Sequence, residues 1–340
     1  GRGQRHMCIR DGPYIRRNGR LEPATWAQAF SAIAEKTANI DPNRIAAIAG
    51  DLAGVEEMYA LKGLMDAFGS PHIDCRQDGA KLAAGNRGGY IFNSTIAGIE
   101  DADAILLVGT NPRIEAPIIN ARILKRARAG GLRVGVIGPR ADLTYDYDYL
   151  GAGPQSLKDL GAFADVLKNA ERPMIVVGQG ALARGDGAAV LAAALSLAKS
   201  AGAVSGDWNG FNVLHTAASR VGGLDLGLVP GEGGHDVAGI LEGASNGEID
   251  FVHLLGADEI DMSRLGSAFV VYQGTHGDAG AHRADVILPG AAYTEKNATW
   301  INTEGRVQLG RRAVFPPGQA REDWTILRAL SGVLGKTLPY

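Results

Sequence analysis

The feature that most constrains the fold is a repeated pattern in which a short apolar run ends abruptly in glycine and small polar residues. Continuous runs rich in Val, Ile and Leu are typical of strands buried on both faces, as in a parallel sheet between helix layers. We therefore predict a parallel strand in each segment that has this pattern. The segments are residues 44–51, 104–112, 133–140, 173–180, 250–258, 269–278 and 285–290.

Segments with helical periodicity separate these runs. Residues 25–37 begin with Thr25 as a predicted N-cap and Gln28 three residues later, which is the spacing of a capping box. Residues 116–129 place basic and apolar side chains on different faces, and the Ala- and Leu-rich residues 188–200 are predicted to form a buried helix. Strands that alternate with helices predict an α/β fold with doubly wound, mostly parallel sheets.

Glycine accounts for 48 of the 340 residues, about twice its usual share of about 7%. Many of these glycines follow the apolar runs, at the carboxyl ends of the predicted strands. Ligands of open α/β sheets bind at those ends, where glycine permits a tight turn or a close approach of the backbone. The composition therefore directs attention to the strand ends.

Charge and hydropathy exclude two classes of protein. The net charge of −3 argues against a dedicated nucleic-acid-binding protein, which is usually strongly basic. No apolar run reaches the roughly 20 residues of a membrane span, so direct membrane insertion is not expected. The first twenty residues are basic and predict either a solvated arm or a segment that docks onto an acidic partner. Their arginines are Arg2, Arg5, Arg10, Arg16, Arg17 and Arg20.

The two cysteines, Cys8 and Cys75, cannot provide a disulfide framework or the four thiolates of an iron–sulfur site. A reducing cytoplasmic compartment is the simplest expectation. Neither phosphate-binding fingerprint fits, because G-x-x-x-x-G-K-[ST] does not occur and the glycines in 178–185 have the wrong spacing for G-x-G-x-x-G. This argues against a nicotinamide-dependent enzyme.

Gly109, Thr110 and Asn111 follow the strongest apolar run, where their backbone N–H groups could face a phosphate. The same residues suit a tight turn with Asn111 as N-cap and Pro112 at the first helical position. Both interpretations stay open. His276 has neither an acidic partner nor a two-His spacing nearby, which favours a surface or interface histidine over a metal or acid–base role.

The polar stretch after the last apolar run contains three further candidates. Glu295 and Lys296 are candidates to pair with each other or to satisfy loop backbone, and Arg306 is a candidate to clamp an anion.

Several segments in the same order resemble the molybdopterin oxidoreductase superfamily and, within it, the large iron–sulfur (G) subunits of respiratory complex I. These are residues 13–26, 95–117, 142–151, 205–208, 272–280, 284–306 and 316–324. The resemblance implies two doubly wound α/β domains of formate dehydrogenase-like type, one inserted in the other. The expected division is a basic N-terminal arm at 1–20, a discontinuous domain at 21–88 plus 165–340, and an inserted domain at 89–164. The family's N-terminal iron–sulfur modules have no counterpart here, so the chain is expected to be the C-terminal body of a longer subunit.

The resemblance also bears on cofactors. Formate dehydrogenase-like relatives hold molybdenum on two pterin guanine dinucleotides, with a Cys, Ser or selenocysteine ligand from a loop after the second strand. In the comparable loop, residues 73–79, Cys75 comes a few residues too early, which leaves Asp78 as a remote candidate ligand. Complex I subunits of this type are regarded as having lost the cofactor, so none is expected in this chain. The resemblance implies that a vestigial pterin-dinucleotide pocket is marked by Gly109, Thr110, Asn111, Gly274 and Asp278.

The expected function is a non-catalytic scaffold in proton-pumping NADH:quinone oxidoreductase, peripheral on the cytoplasmic side of the membrane. Expected partners are other peripheral-arm subunits and the N-terminal iron–sulfur modules, with Arg16, Arg17 and Arg20 near that junction. One alternative is a working molybdopterin oxidoreductase of formate dehydrogenase type, which would carry molybdopterin guanine dinucleotide. Another is a nucleotide-binding module that uses residues 109–111 and 274–278.

Overall fold

The computed structural model describes residues 9–340. Contacts divide the chain into two compact units. The first unit comprises the chain up to Asp78, Ala217–Trp300 and Val307–Tyr340, and the second comprises Gly79–Thr216 and Ile301–Arg306. Most of the second unit is therefore inserted, along the sequence, between two segments of the first.

The strands are β1 (Tyr14–Arg17), β2 (Arg20–Pro23), β3 (Ile45–Ala49), β4 (His72–Asp74), β5 (Ala104–Val108), β6 (Arg133–Ile137), β7 (Asp148–Gly151), β8 (Pro173–Val177), β9 (Val204–Ser205), β10 (Trp208–Asn209), β11 (Phe211–Val213), β12 (Phe251–Leu255), β13 (Phe269–Gly274), β14 (Val286–Pro289), β15 (Ala298–Ile301) and β16 (Val307–Gly310). The α-helices are α1 (Trp26–Thr37), α2 (Val55–Phe68), α3 (Pro112–Glu115), α4 (Pro117–Arg128), α5 (Phe163–Asn169), α6 (Gln179–Leu182), α7 (Gly187–Ser200), α8 (Arg220–Asp225), α9 (Val237–Asn246), α10 (Ala279–Arg283) and α11 (Asp323–Val333). Short 3-10 helices lie at Pro42–Arg44, Arg87–Gly89, Ala97–Asp101, Pro154–Lys158 and Met262–Leu265.

The first unit is built on a seven-stranded sheet with the order β2-β1-β14-β13-β12-β3-β4. The strands from β14 to β4 are parallel, and β1 and β2 add an antiparallel edge. The chain leaves β3 toward β4 on one side and later returns to β12 on the other. The strand order thus reverses between β3 and β12, and such a reversal opens a crevice at the carboxyl ends of the two strands.

The second unit contains a five-stranded parallel sheet with the order β11-β8-β5-β6-β7. Its strand order reverses between β5 and β8, which creates a second crevice of the same kind. Each unit has its own apolar core, in which buried strand residues such as Val252 in the first unit and Leu107 in the second pack against helices. Each such side chain stabilises the fold by about 1.5–3 kcal/mol.

The predicted fold class is confirmed, and each of the seven apolar segments contains one of the buried parallel strands. Helix α1 also begins as predicted. The Thr25 hydroxyl accepts a hydrogen bond from the Gln28 backbone N–H at 3.2 Å, and the Gln28 side chain accepts one from the Thr25 N–H at 2.9 Å. This reciprocal capping box satisfies two N–H groups that the helix itself leaves free.

The prediction that the Ala- and Leu-rich helix α7 is buried is wrong. Only one face, with Gly187, Val190, Ala194 and Ala198, is buried. Alanine makes a sequence apolar without requiring burial, because its small side chain exposes little apolar surface to water and favours the helix.

The expected domain boundaries differ from those of the two units. The expected end of the inserted domain at residue 164 leaves out β8 and β11, whereas both strands pair within the five-stranded sheet of the second unit. The unit also begins at Gly79, ten residues before the expected position 89. A buried apolar run predicts a strand but carries no information on which sheet the strand joins.

The expected basic arm at 1–20 is only partly described, since Arg2 and Arg5 lie outside residues 9–340. The described part is not a free arm, because β1 pairs with both β14 and β2. The Arg16 guanidinium donates hydrogen bonds to the carbonyl oxygens of Ala284 at 2.9 Å and His282 at 2.6 Å. Within residues 9–340, the structure has no helix that combines the length and the apolar character needed to span a bilayer.

Candidate functional site

The crevice of the first unit holds a cavity of about 180 Å³, lined by residues that follow β3, β12 and β13. Two glycines shape it. A Cβ atom on Gly50 would collide with the carbonyl oxygen of Gly256, and Gly256 itself has a φ of +60°. Glycine at both positions lets the turns after β3 and β12 approach each other this closely.

A buried ionic cluster forms part of the cavity wall. The Lys296 ammonium donates hydrogen bonds to Glu57 Oε1 at 2.5 Å and to Asp323 Oδ2 at 2.9 Å. None of the three side chains is more than 6% exposed. Glu57 lies in the first turn of α2, Asp323 is the first residue of α11, and Lys296 lies in the loop between β14 and β15. Three distant segments therefore meet in one charged contact.

The cluster is satisfied by further donors. Glu57 Oε1 also accepts the backbone N–H of Gly54 at 2.6 Å, and Asp323 Oδ1 accepts the Gln273 side-chain amide at 3.0 Å. Burial raises the pKa of Glu57 to about 7, although the Lys296 charge opposes this. Burial lowers the pKa of Lys296, but the charges of Asp323 and Glu57 outweigh it and raise that pKa above its ordinary value. The ammonium is thus held in its charged form by its two partners.

A second carboxyl pair lines the same cavity, with Asp258 after β12 and Asp278 after β13. Burial, followed by the hydrogen bond and the charge of Asp278, raises the pKa of Asp258 to about 6. Burial and these same carboxylates also raise the pKa of Tyr272, which is only 2% exposed. Four carboxyl groups and one ammonium therefore line this cavity.

The crevice of the second unit holds a cavity of about 250 Å³ at the carboxyl ends of β5 and β6. Gly109 has a φ of +60°, and a Cβ atom there would collide with Ala181. Two arginines line this cavity. The guanidinium carbon of Arg140 lies 3.8 Å from the centroid of the Tyr149 ring, and Arg184 pairs with Asp186 at 2.6 Å.

The turn after β5 is capped by Glu115. Its carboxylate accepts the Asn111 backbone N–H and the Thr110 hydroxyl, both at 2.8 Å. Asn111 is the N-cap residue and Pro112 stands at the first helical position, both as predicted, although the Asn111 side chain makes no capping hydrogen bond. Among the residues that the structure describes, the buried Asn111 Oδ1 has no hydrogen-bond partner.

Asp78, the candidate metal ligand, is paired with a buried arginine. Arg220 is 1% exposed, and it donates hydrogen bonds to Asp78 Oδ1 at 2.9 Å and to the Cys75 carbonyl oxygen at 3.3 Å. Burial raises the pKa of the Cys75 thiol to about 12, so the thiol is protonated. Across residues 9–340, no three or more His, Cys, Asp and Glu side chains are grouped so that they could hold a metal ion.

Other sequence candidates have separate environments. Glu295 and Lys296 do not pair with each other, because Glu295 pairs with Arg10 at 2.5 Å and accepts the Ala292 backbone N–H at 3.0 Å. The second of these contacts confirms the predicted support of loop backbone. His276 is exposed, as predicted, and Arg306 is exposed beside Glu304 at 3.2 Å.

The predicted cofactor-binding residues fall into two separate sets. Gly109, Thr110 and Asn111 line the cavity of the second unit, and Gly274 and Asp278 line that of the first. Lys296 was a candidate from the sequence, but its partners Glu57 and Asp323 were missed, because Glu57 precedes Lys296 by 239 positions and no local pattern connects them. Arg220 was missed for the same reason.

Comparisons with known proteins agree with this architecture. The family model for molybdopterin oxidoreductase matches residues 11–333. The chain is 46% identical over 334 residues to NADH dehydrogenase [ubiquinone] iron-sulfur protein 1, mitochondrial, of Solanum tuberosum, and the match covers 96% of this chain and 44% of that protein. It is 44% identical over 328 residues to the G subunit of NADH-quinone oxidoreductase of Rickettsia bellii, with coverages of 95% and 46%. The chain thus spans about half the length of the curated relatives that it matches.

Two solved structures share the fold. One is the formyltransferase/hydrolase complex (FhcABCD) from Methylorubrum extorquens, with a TM-score of 0.70, 19% identity, and coverage of 96% of this chain and 99% of that chain. The other is acetylene hydratase from Pelobacter acetylenicus, with a TM-score of 0.64, 13% identity, and coverages of 96% and 61%. At these identities the likeness concerns the fold alone. The family match over nearly the whole chain shows that the chain belongs to the molybdopterin oxidoreductase family.

Proposed function

We propose that the chain is a non-catalytic scaffold region of the G subunit of a proton-pumping NADH:quinone oxidoreductase. The similarity to complex I subunits along 95–96% of the chain supports the assignment to that complex. The observation that carries the non-catalytic part is the buried Arg220, whose guanidinium is bound to Asp78 in the loop where family enzymes place their metal ligand.

The residues in that loop do not fit a molybdenum site. A carboxylate bound to a buried guanidinium is already neutralised, and a second cation beside Arg220 would be repelled at close range. The Cys75 thiol does not replace Asp78, because it is fully buried and its sulfur packs closely against Gly223. Asp74, the other carboxylate of this loop, is buried and pairs with Arg76 at 2.7 Å, so both carboxylates of the loop are held by arginines.

The cavity of the first unit also suits a pterin dinucleotide poorly. Its four carboxyl groups outnumber the single Lys296 ammonium, and this excess of negative charge would repel a pyrophosphate. Its volume of about 180 Å³ is smaller than the roughly 300–1,000 Å³ of usual small-molecule pockets. We propose that Gly109, Thr110, Asn111, Gly274 and Asp278 are remnants of the ancestral pocket, retained because they form the turns at the strand ends.

In this proposal the chain binds other peripheral-arm subunits and the iron–sulfur modules of its subunit, on the cytoplasmic side of the membrane. Arg17 and Arg20 are exposed on the β1–β2 edge and are the proposed contacts with those modules. Arg16 contributes less to such a contact, because its guanidinium already binds three carbonyl groups within the first unit.

The test is cofactor analysis of the protein made in cells that insert molybdenum cofactors, with a known molybdoenzyme from the same cells as the positive control. Molybdenum is measured by mass spectrometry, and pterin is measured by fluorescence after oxidation. We expect less than about a tenth of one equivalent of each. Stoichiometric molybdenum with guanine nucleotide would establish the alternative, a working molybdopterin oxidoreductase.

The assembly part is tested separately. The full-length subunit that contains this region is tagged and isolated from cells that assemble the complex, and we expect other peripheral-arm subunits to copurify. A subunit that stays alone while the complex forms without it would refute the scaffold function.

A further inference from the structure

An exposed run of chain follows the turn after β15. Residues 306–315 are all exposed apart from Gly310. We call its four large apolar side chains the β16 patch. They are Val307 (63% exposed), Leu309 (61%), Val314 (55%) and Phe315 (78%). Single exposed apolar residues are common, but four within nine residues of chain mark a contact surface.

The backbone of β16 is also open to pairing. β16 pairs with β15 in a two-stranded sheet, and within residues 9–340 no further strand is added to that sheet. The outer edge of such a strand presents N–H and C=O groups that another extended segment can bind. Because side chains alternate along a strand, Val307 and Leu309 lie on the same face of this edge.

The charge of the run is of one sign. It contains Arg306, Arg311 and Arg312 and no acidic residue. Arg306 lies 3.2 Å from Glu304 and Arg312 lies 3.8 Å from Glu322, so among the described residues Arg311 is the arginine of the run without an ion pair. Arg312 lies with its guanidinium carbon 4.3 Å from the centroid of the Phe315 ring, so charge and apolar surface form one continuous patch. Natural edge strands are usually protected by a charge or proline within the strand. Here the strand itself, VQLG, contains neither.

We propose that β16 is a docking edge for an extended segment of a separate polypeptide, in which apolar residues alternate and a carboxylate lies opposite Arg311. Backbone pairing would supply affinity, and the apolar and acidic side chains would supply specificity. The inference rests on the proposed scaffold function, because it names the surface by which the chain would hold a neighbouring subunit. A second copy of this chain is a poorer occupant, since its own run offers only further arginines and no carboxylate.

The first test is photo-crosslinking in the assembled complex. Benzoylphenylalanine replaces Leu309 in the full-length subunit, and a matched protein carries it in place of Ile118, which is 74% exposed in the second unit. After irradiation, mass spectrometry identifies the linked residues. We expect links from position 309 to an extended segment of another polypeptide, at a site with alternating apolar residues and flanking Asp or Glu. Links no stronger than the control, or links only to the same polypeptide or another copy of it, would overturn the proposal.

The second test uses charge-matched variants in the same full-length subunit. Val307→Glu with Leu309→Glu introduces two negative charges on β16, and Ile114→Glu with Ile118→Glu introduces two at exposed positions of the second unit. We expect the first pair of changes to reduce copurification of the crosslinked partner at least about tenfold, and the second pair to leave it unchanged.

Thermal unfolding of both variants separates a binding effect from misfolding, and the crosslinks are independent of either variant. Assembly of the subunit without crosslinks at β16 would overturn this inference and leave the scaffold function standing. Failure of the unmodified subunit to assemble would overturn the scaffold function itself.

Discussion

Replacing Lys296 with Met removes the only cation from a site that buries Glu57 and Asp323. Met is similar in length and apolar, so the change deletes charge with little change in volume. Removal of one partner from a buried ion pair costs about 3–5 kcal/mol, because it leaves uncompensated buried charge. We expect a loss in this range for unfolding of the first unit at pH 8.

The loss should depend on pH in a defined direction. Without the ammonium, the folded-state pKa of Glu57, which burial already raises, rises further above its unfolded value. The folded variant then binds more protons than its unfolded chain, so its stability falls as the pH rises. The difference between parent and variant should therefore be largest at pH 8 and should shrink toward pH 5.

The assay is urea unfolding followed by tryptophan fluorescence, since Trp26, Trp300 and Trp324 lie in the first unit. With a slope of about 2–3 kcal/mol per molar urea, the expected midpoint falls by about 1–2 M. Lys62→Met is the matched control, because Lys62 pairs with Asp66 on the exposed surface of α2 and such pairs contribute under about 1 kcal/mol. Adding Glu57→Gln to the Lys296 variant should restore part of the loss. A Lys296→Met midpoint within experimental error of the Lys62→Met midpoint at pH 8 would refute the reasoning.

Three further predictions concern the buried groups. Burial lowers the pKa of His253 to about 4, so as the pH falls this histidine is protonated in the unfolded chain before it is protonated in the folded one. Between pH 7 and pH 5 the parent protein should therefore lose about 2 kcal/mol more stability than His253→Gln, as measured by urea unfolding at both pH values. Equal losses in the two proteins would contradict this prediction. Gly109→Ala should lower the free energy of unfolding by about 1–3 kcal/mol more than Gly130→Ala does. Both positions have a positive φ, but only Gly109 lacks room for a Cβ atom. Equal melting temperatures of the two variants would show that the turn adapts. Arg220→Leu should lower the stability of the first unit by about 3–5 kcal/mol, because it leaves Asp78 partly buried without its cation; an unchanged urea midpoint would show that water replaces the guanidinium.

The main strands could be predicted because a strand buried on both faces requires a continuous apolar run, which is a local property. β5, with the sequence AILLV and every residue buried, is an example. β7 was missed because it is half-buried throughout and its sequence, DYLG, follows a stretch of alternating acids and tyrosines. The domain boundary was missed for a different reason, since the apolar run of β8 fits either sheet equally well.

The candidate sites divide in the same way. The glycines at the strand ends could be located from the sequence, because each lies directly after its strand. The charged residues that pair across the first unit could not be located in this way. Arg220 is 142 positions from Asp78, and Lys296 is 239 positions from Glu57, so these contacts exist only after the fold of the first unit has determined which chain segments become neighbours.

The segmentation of the two units has a consequence for the order of folding during synthesis. In the first unit β3 lies between β4 and β12, and Ile45 pairs with Phe251, so the centre of this sheet requires closure of a loop of about two hundred residues. All five strands of the second unit's sheet lie between Ala104 and Val213. That sheet can form while β12 has not yet left the ribosome, whereas β3 and β4 must wait for it. The edge of β3 that later pairs with β12 is therefore exposed to misassembly during synthesis.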